Sequence, residues 1–224
     1  MPGAHEGIRS PTPLHEVLVE AREAGFLGPG PIEPHIRHAE GFAAIARRLA
    51  AAGPPSPRLV DLGSGGGLPG LVVATSWPEA TVDLLEAGAR RAAFLERATG
   101  RLGLAARVRV LHERAEVCGR QAGFRAGYDG ALARAFGRPA VVAECAAPLL
   151  KVGGWLVVSE PPGGGEPAGA DEPPRWPAEP LGQLGMEPGE VVHEEFDYRI
   201  LRQTAPCPDR FPRRNGVPAK RPLF

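Results

Sequence analysis

Residues 59–70 read Leu-Val-Asp-Leu-Gly-Ser-Gly-Gly-Gly-Leu-Pro-Gly, and their types and spacing point to nucleoside chemistry. Two apolar residues and an acid, Asp61, run into a loop with glycine at 63, 65, 66, 67 and 70. Such a loop brings backbone close to a ligand without a Cβ clash. A helix opening near Pro69 then turns unpaired N–H groups toward whatever the loop holds. Gly65-Gly66-Gly67-Leu68-Pro69-Gly70 also satisfies the dinucleotide pattern G-x-G-x-x-G. Asp61 decides between the ligands. A pyrophosphate gains nothing from a carboxylate two residues ahead of the first glycine. The cationic amino-acid end of S-adenosylmethionine does gain, directly or through water. Asp61, Gly63, Gly65 and Gly67 are therefore cofactor-binding candidates, with S-adenosylmethionine ahead of a dinucleotide.

Three further positions belong to the same chemistry. Glu86 closes the apolar run Val82-Asp83-Leu84-Leu85, where a carboxylate grips a ribose diol. Glu116, in His112-Glu113-Arg114-Ala115-Glu116, is placed to accept from an adenine amino group, itself or through its neighbouring backbone. Arg134 follows Ala131-Leu132-Ala133 and is the one catalytic candidate. An arginine there suits a phosphate, a guanine edge or the cofactor carboxylate. No Asp/Asn-Pro-Pro-aromatic run, the usual holder of an amino acceptor, stands at that place. His35 and His38, one turn apart, lack a third ligand nearby and read as exposed or capping histidines rather than a metal pair. No metal is expected.

The elements that must position these residues follow from periodicity. Residues 14–24 and 34–52 carry apolar residues at helical spacing. From Arg58 the pattern becomes strand (58–62), helix (69–76), strand (81–85), helix (89–102), strand (107–111), short helix (114–118), strand (128–133), helix (139–150), strand (154–159). That alternation means a mostly parallel α/β sheet with helices on both faces. Residues 190–196 and 198–204 alternate as a closing hairpin, giving about seven strands. The stretch 161–180 reads as an exposed loop, and 206–224 as too proline-rich for regular structure. The expected organisation is a helical extension over 1–57, a Rossmann-like domain over 58–205 and a basic tail over 206–224.

Net charge is zero at 224 residues, so the whole molecule does not attract nucleic acid. The charge is uneven: residues 160–197 hold ten acids and one base, and 202–224 hold six bases and one acid. Arg213, Arg214, Lys220 and Arg221 are the RNA-binding candidates of this tail, with packing against the protein's own acidic stretch as the competing role. Three scattered cysteines form no C-x-x-C pair and suit free thiols in a reducing compartment. With no signal peptide and no apolar run of membrane length, a cytoplasmic monomer without a membrane partner is expected.

Taken together, five segments resemble one family: Asp61-Leu-Gly-Ser-Gly-Gly-Gly-Leu-Pro-Gly70, Arg114-Ala115-Glu116, Ala133-Arg134-Ala135-Phe136, Pro148-Leu-Leu-Lys-Val-Gly-Gly154 and Phe211-Pro-Arg-Arg-x-Gly-x-Pro-x-Lys-Arg-Pro-Leu223. The chain is similar, over residues 58 to 224, to the bacterial small-subunit rRNA guanine-N7 methyltransferases of the glucose-inhibited division protein B type. The resemblance implies a class I methyltransferase sheet, S-adenosylmethionine as donor, and N7 of a guanine in 16S rRNA or the 30S subunit as acceptor. It implies cofactor contacts at Gly63, Leu68, Ala115, Glu116 and Arg134. Two features depart from it. Residues 1–52 lack the family's Asn-Leu-Thr and His-x-x-Asp-Ser segments, and Ser159-Glu160-Pro161 replaces Leu-Lys-Gly, reversing a charge where RNA should lie. A methyltransferase acting on another RNA or a small molecule, or a non-catalytic cofactor-binding paralogue, is the alternative these departures leave open.

Overall fold

A computed structural model describes residues 12–163 and 174–224. Two helices, Pro13–Glu23 (α1) and Ile32–Ala50 (α2), precede one sheet built from Arg58–Leu62 (β1), Thr81–Leu85 (β2), Val108–Leu111 (β3), Tyr128–Ala133 (β4), Leu150–Glu160 (β5), Met186–His193 (β6) and Asp197–Gln203 (β7). The strands lie in the order β3-β2-β1-β4-β5-β7-β6. β1 to β5 are parallel, and β7 runs antiparallel between β5 and β6. Parallel neighbours need crossovers. Gly70–Ser76 (α3), Ala89–Arg101 (α4), Ala115–Cys118 (α5) and Pro139–Ala146 (α6) supply them.

The strand order reverses between β1 and β4, which is where open α/β sheets bind ligands. Register then sets the site. Leu62 pairs with both Leu85 and Ala133, and Ala133 with Val158. The next residue of each strand, Gly63, Glu86, Arg134 and Ser159, therefore emerges along one edge.

Alternation sorts the strand residues between two cores. Leu59 packs with Phe42 of α2, Leu71 of α3 and Phe94 of α4. Val60, Leu62 and Leu156 pack on the other face with Val142 of α6. Asp61 shares the face of Leu59 and so passes beneath α3. The N-terminal helix α2 belongs to the same core: Phe42 is fully buried, and Tyr198 of β7 lies over Gly41 and donates to the His38 carbonyl at 2.7 Å.

The structure corrects four expectations. β5 begins at Leu150, not residue 154, with an irregular register opposite Tyr128 and Gly130. The helix before it ends at Ala146, and Ala147–Leu149 forms a single 3-10 turn around Pro148. The stretch after Pro161 is not all exposed loop. Trp176 is 3% exposed in the second core, and Ala178–Gly182 (α7) buries Leu181. Prolines do not leave the C-terminus irregular throughout, because Val217–Lys220 (α8) makes a helical turn with Pro218 inside its first turn.

Candidate active site

The glycine loop is pinned to the end of β2. Gly63 and Ser64 both donate to the Leu85 carbonyl, at 2.8 and 3.1 Å. Gly63 has φ +67°, and a Cβ there would stand 2.6 Å from Phe136 Cδ2, so the turn demands glycine both for its conformation and for space. Below it, the fully buried Asp61 accepts from the Gly70 N–H through Oδ2 at 3.0 Å, while Oδ1 has no partner. Burial pushes this carboxyl up to about 7, against the pull of the nearby Ser64 hydroxyl, the Gly70 bond and the Arg134 charge. A buried acid with an idle oxygen is a seat for a cation.

Glu86 is 3% exposed. Its Oε2 accepts from Gly65 N–H at 3.0 Å, and its Oε1 from Gly88 N–H at 2.7 Å and Arg91 Nε at 3.0 Å. The carboxylate is thereby fixed in place, with acceptor capacity left on Oε2.

One cavity of about 400 Å³ collects Gly63, Gly65, Leu68, Glu86, Ala115 and Arg134 from the sequence-derived set. Asp61 lies beneath it. Gly67 shapes the loop from behind, donating to the Ser64 carbonyl at 2.7 Å. Glu116 is turned away, since its Oε1 accepts from Gly216 N–H at 3.0 Å. Glu113 takes the wall position at the end of β3, and its Oε1 accepts from Arg114 N–H at 2.8 Å. Nearness to the strand end was the signal, as β3 stops at Leu111. The roof comes from the segment between α1 and α2, Phe26, Leu27 and Gly28, with His35 of α2 beside them.

His35 and His38 are not exposed caps. Both are half-buried. Arg134 Nη2 lies 2.6 Å from His35 Nδ1, and Arg134 Nη1 is buried without a partner. Burial, then the Arg134 charge, lowers the His35 pKa, and burial with the same charge takes His38 to about 4. Both rings are therefore neutral near neutral pH, and Arg134 is the cation of the pair. His38 faces a second cavity of about 240 Å³, which shares Ala135 and Phe136 with the first. Glu160 does not present its charge there: its side chain is fully buried, bonded by Trp176 Nε1 and paired with Arg175.

Similarity to known proteins agrees with this geometry. The model of the GidB family, rRNA small subunit methyltransferase G, matches residues 44–160. The chain belongs to this family. The ribosomal RNA small subunit methyltransferase G of Rubrobacter xylanophilus is 42% identical over 182 residues, covering 78% of this chain and 67% of that protein. The corresponding protein of Moorella thermoacetica is 35% identical over 179 residues, covering 78% and 73%. An O-methyltransferase from Bacillus cereus, solved in complex with SAH, matches with a TM-score of 0.62 at 16% identity, over 88% of this chain and 92% of that one. That likeness shows the fold, a class I methyltransferase sheet.

As a member of the methyltransferase G family the chain is an S-adenosylmethionine-dependent methyltransferase, and its first cavity fits that donor. The idle Asp61 Oδ1 and Arg134 Nη1 are a buried acceptor and a buried donor, which would match an ammonium and a carboxylate, and Glu86 at the carboxyl end of β2 keeps acceptor capacity that would suit a ribose hydroxyl.

The basic tail divides. Arg213 is taken up by the protein: its Nε and Nη2 reach the fully buried Glu144 of α6 at 2.9 and 2.6 Å, and its N–H reaches it at 2.8 Å. Arg214, Lys220 and Arg221 are exposed. Among the described residues no cluster of three metal-ligating side chains occurs.

Proposed function

We propose that this chain methylates N7 of a guanine in 16S rRNA, acting in the cytoplasm on the rRNA or the 30S subunit. The observation that carries this reading is the pairing of the donor cavity with an adjoining cavity across Phe136, in a chain whose relatives are named as small-subunit rRNA methyltransferases. Bound in the first cavity, S-adenosylmethionine supplies an electrophilic methyl group on a sulfonium.

The protein's own residues bind and orient. Asp61 would hold the amino group, directly or through water, and Arg134 the carboxylate. Glu86 would take the ribose, and Ala115 with Glu113 would hold the adenine. No proton has to be removed from N7, whose lone pair is free at neutral pH. The shared wall suits that requirement, because Ala135 and Phe136 carry no base and His38, with a pKa of about 4, is a poor one. Catalysis then rests on positioning, which supplies several kcal/mol. Phe136, which lines both cavities, would narrow the passage between them.

Arg214, Lys220 and Arg221 would hold backbone phosphates. The test combines labelled S-adenosylmethionine with 30S subunits from a strain lacking this modification, followed by mapping of N7-methylguanine. One modified guanine in 16S rRNA is expected; donor binding without transfer to rRNA overturns the acceptor. Replacing the three cations by alanine should lower the salt slope of RNA binding by about 0.7–0.9 for each phosphate no longer neutralised. An unchanged slope removes the tail from the interface.

A further inference from the structure

We propose that Arg175, held by the buried Glu160 and backed by Trp176, determines specificity in the second cavity by donating to the O6 carbonyl of the target guanine. This rests on the guanine-N7 reading above. The cavity has ring-bearing walls in His38, Phe136 and Trp176, which suit the flat face of a base. His38 is locked by stacking on Phe196, with ring centres 4.5 Å apart and planes 10° from parallel.

Glu160 acts through its neighbours. Its side chain has no exposure, so it meets no ligand. Oε1 accepts from Trp176 Nε1, and Oε2 lies 2.7 Å from Arg175 Nε, off the line of a good hydrogen bond. Gripped at Nε, the guanidinium has its two Nη groups at the other end of the fork. The Arg175 side chain is 39% exposed and lines the cavity. A guanine whose N7 faces the donor cavity carries O6 as the neighbouring acceptor on the same edge, where adenine carries an amino group. A cation at that place accepts the first base and rejects the second.

The experiment uses the full-length protein, S-adenosylmethionine, and 30S subunits reconstituted with either guanine or 2-aminopurine, which lacks O6, at the modified position. The wild type should lose about ten- to a hundredfold in kcat/KM on 2-aminopurine. Arg175→Ala should lose a similar factor on guanine and nothing further on 2-aminopurine. Glu160→Gln, which keeps an acceptor for Trp176 but drops the ion pair, should raise KM on guanine more than it lowers kcat. S-adenosylhomocysteine affinity should stay at the wild-type value in both variants, because Arg175 and Glu160 lie outside the donor cavity. Equal losses on both bases for Arg175→Ala would overturn the proposal and point to a phosphate contact or a packing role. Wild-type protein inactive on guanine subunits would overturn the guanine-N7 reading itself, and this proposal with it.

Discussion

Replacing Arg213 should damage the fold far more than it weakens RNA binding. Glu144 sits on α6 with no exposure, and among the described residues all its donors come from Arg213: the N–H at 2.8 Å, Nε at 2.9 Å and Nη2 at 2.6 Å. Arg213→Ala leaves a buried carboxylate with one backbone donor. Removing one partner of a buried pair costs about 3–5 kcal/mol. The Arg213 side chain is 27% exposed, so water already screens part of the pair, and the backbone bond survives. We place the loss at about 2–4 kcal/mol. With about 2.1 cal/mol/K of unfolding entropy per residue over 224 residues, that lowers Tm by roughly 4–9 °C. The double variant Glu144→Leu/Arg213→Met should recover most of this, since an apolar pair of similar volume removes the stranded charge. Calorimetry on the three proteins, beside RNA titrations over a range of salt, reads both quantities. A Tm within about 1 °C of wild type, joined to a salt slope reduced by about 0.7–0.9, would show Arg213 to be a phosphate ligand and refute the anchoring argument.

Gly63→Ala forces an L-residue to φ +67° and against Phe136; the expected cost is about 1–3 kcal/mol in stability, with weaker S-adenosylhomocysteine binding by calorimetric titration, and wild-type values for both would refute the close fit. Glu86→Ala strands the N–H groups of Gly65 and Gly88 and should weaken S-adenosylhomocysteine about ten- to a hundredfold, whereas unchanged affinity would place the ribose elsewhere. Asp61 yields a pH dependence. Its folded pKa of about 7 exceeds the unfolded value of about 3.9, so the folded state keeps a proton that the unfolded state has lost. Stability without the donor should therefore be greatest below about pH 4 in this contribution and fall as pH rises toward 7. Asp61→Asn should remove that fall, leaving the variant more stable than wild type at pH 8 and poorer at binding donor; parallel Tm profiles for the two proteins would sink the argument.

What a sequence discloses about such a site depends on how local the controlling contact is. The edge formed by Gly63, Glu86 and Arg134 was legible because each residue ends its own strand, and parallel register carries the three ends into line. The glycine loop was legible for the same reason, since its turn and its space are set within a few residues. Contacts between distant segments were not. His35 meets Arg134 across 99 positions and Gly216 meets Glu116 across 100, and helical periodicity says which face His35 occupies but not what lies opposite. Glu160 read as a charge set against RNA, because its partners Arg175 and Trp176 return to it only after the chain has left the sheet edge.

Glu144 stands alone as an acid in Pro-Ala-Val-Val-Ala-Glu-Cys-Ala, an apolar helix whose burial a free carboxylate would oppose. Such an acid requires a cation from elsewhere in the chain, and the surplus of cations lies in the tail. Physics thus divides a tail that composition treats as uniform: Arg213 answers the buried acid and fixes where the tail runs, and that fixed course leaves Arg214, Lys220 and Arg221 facing solvent, where a phosphate backbone can reach them.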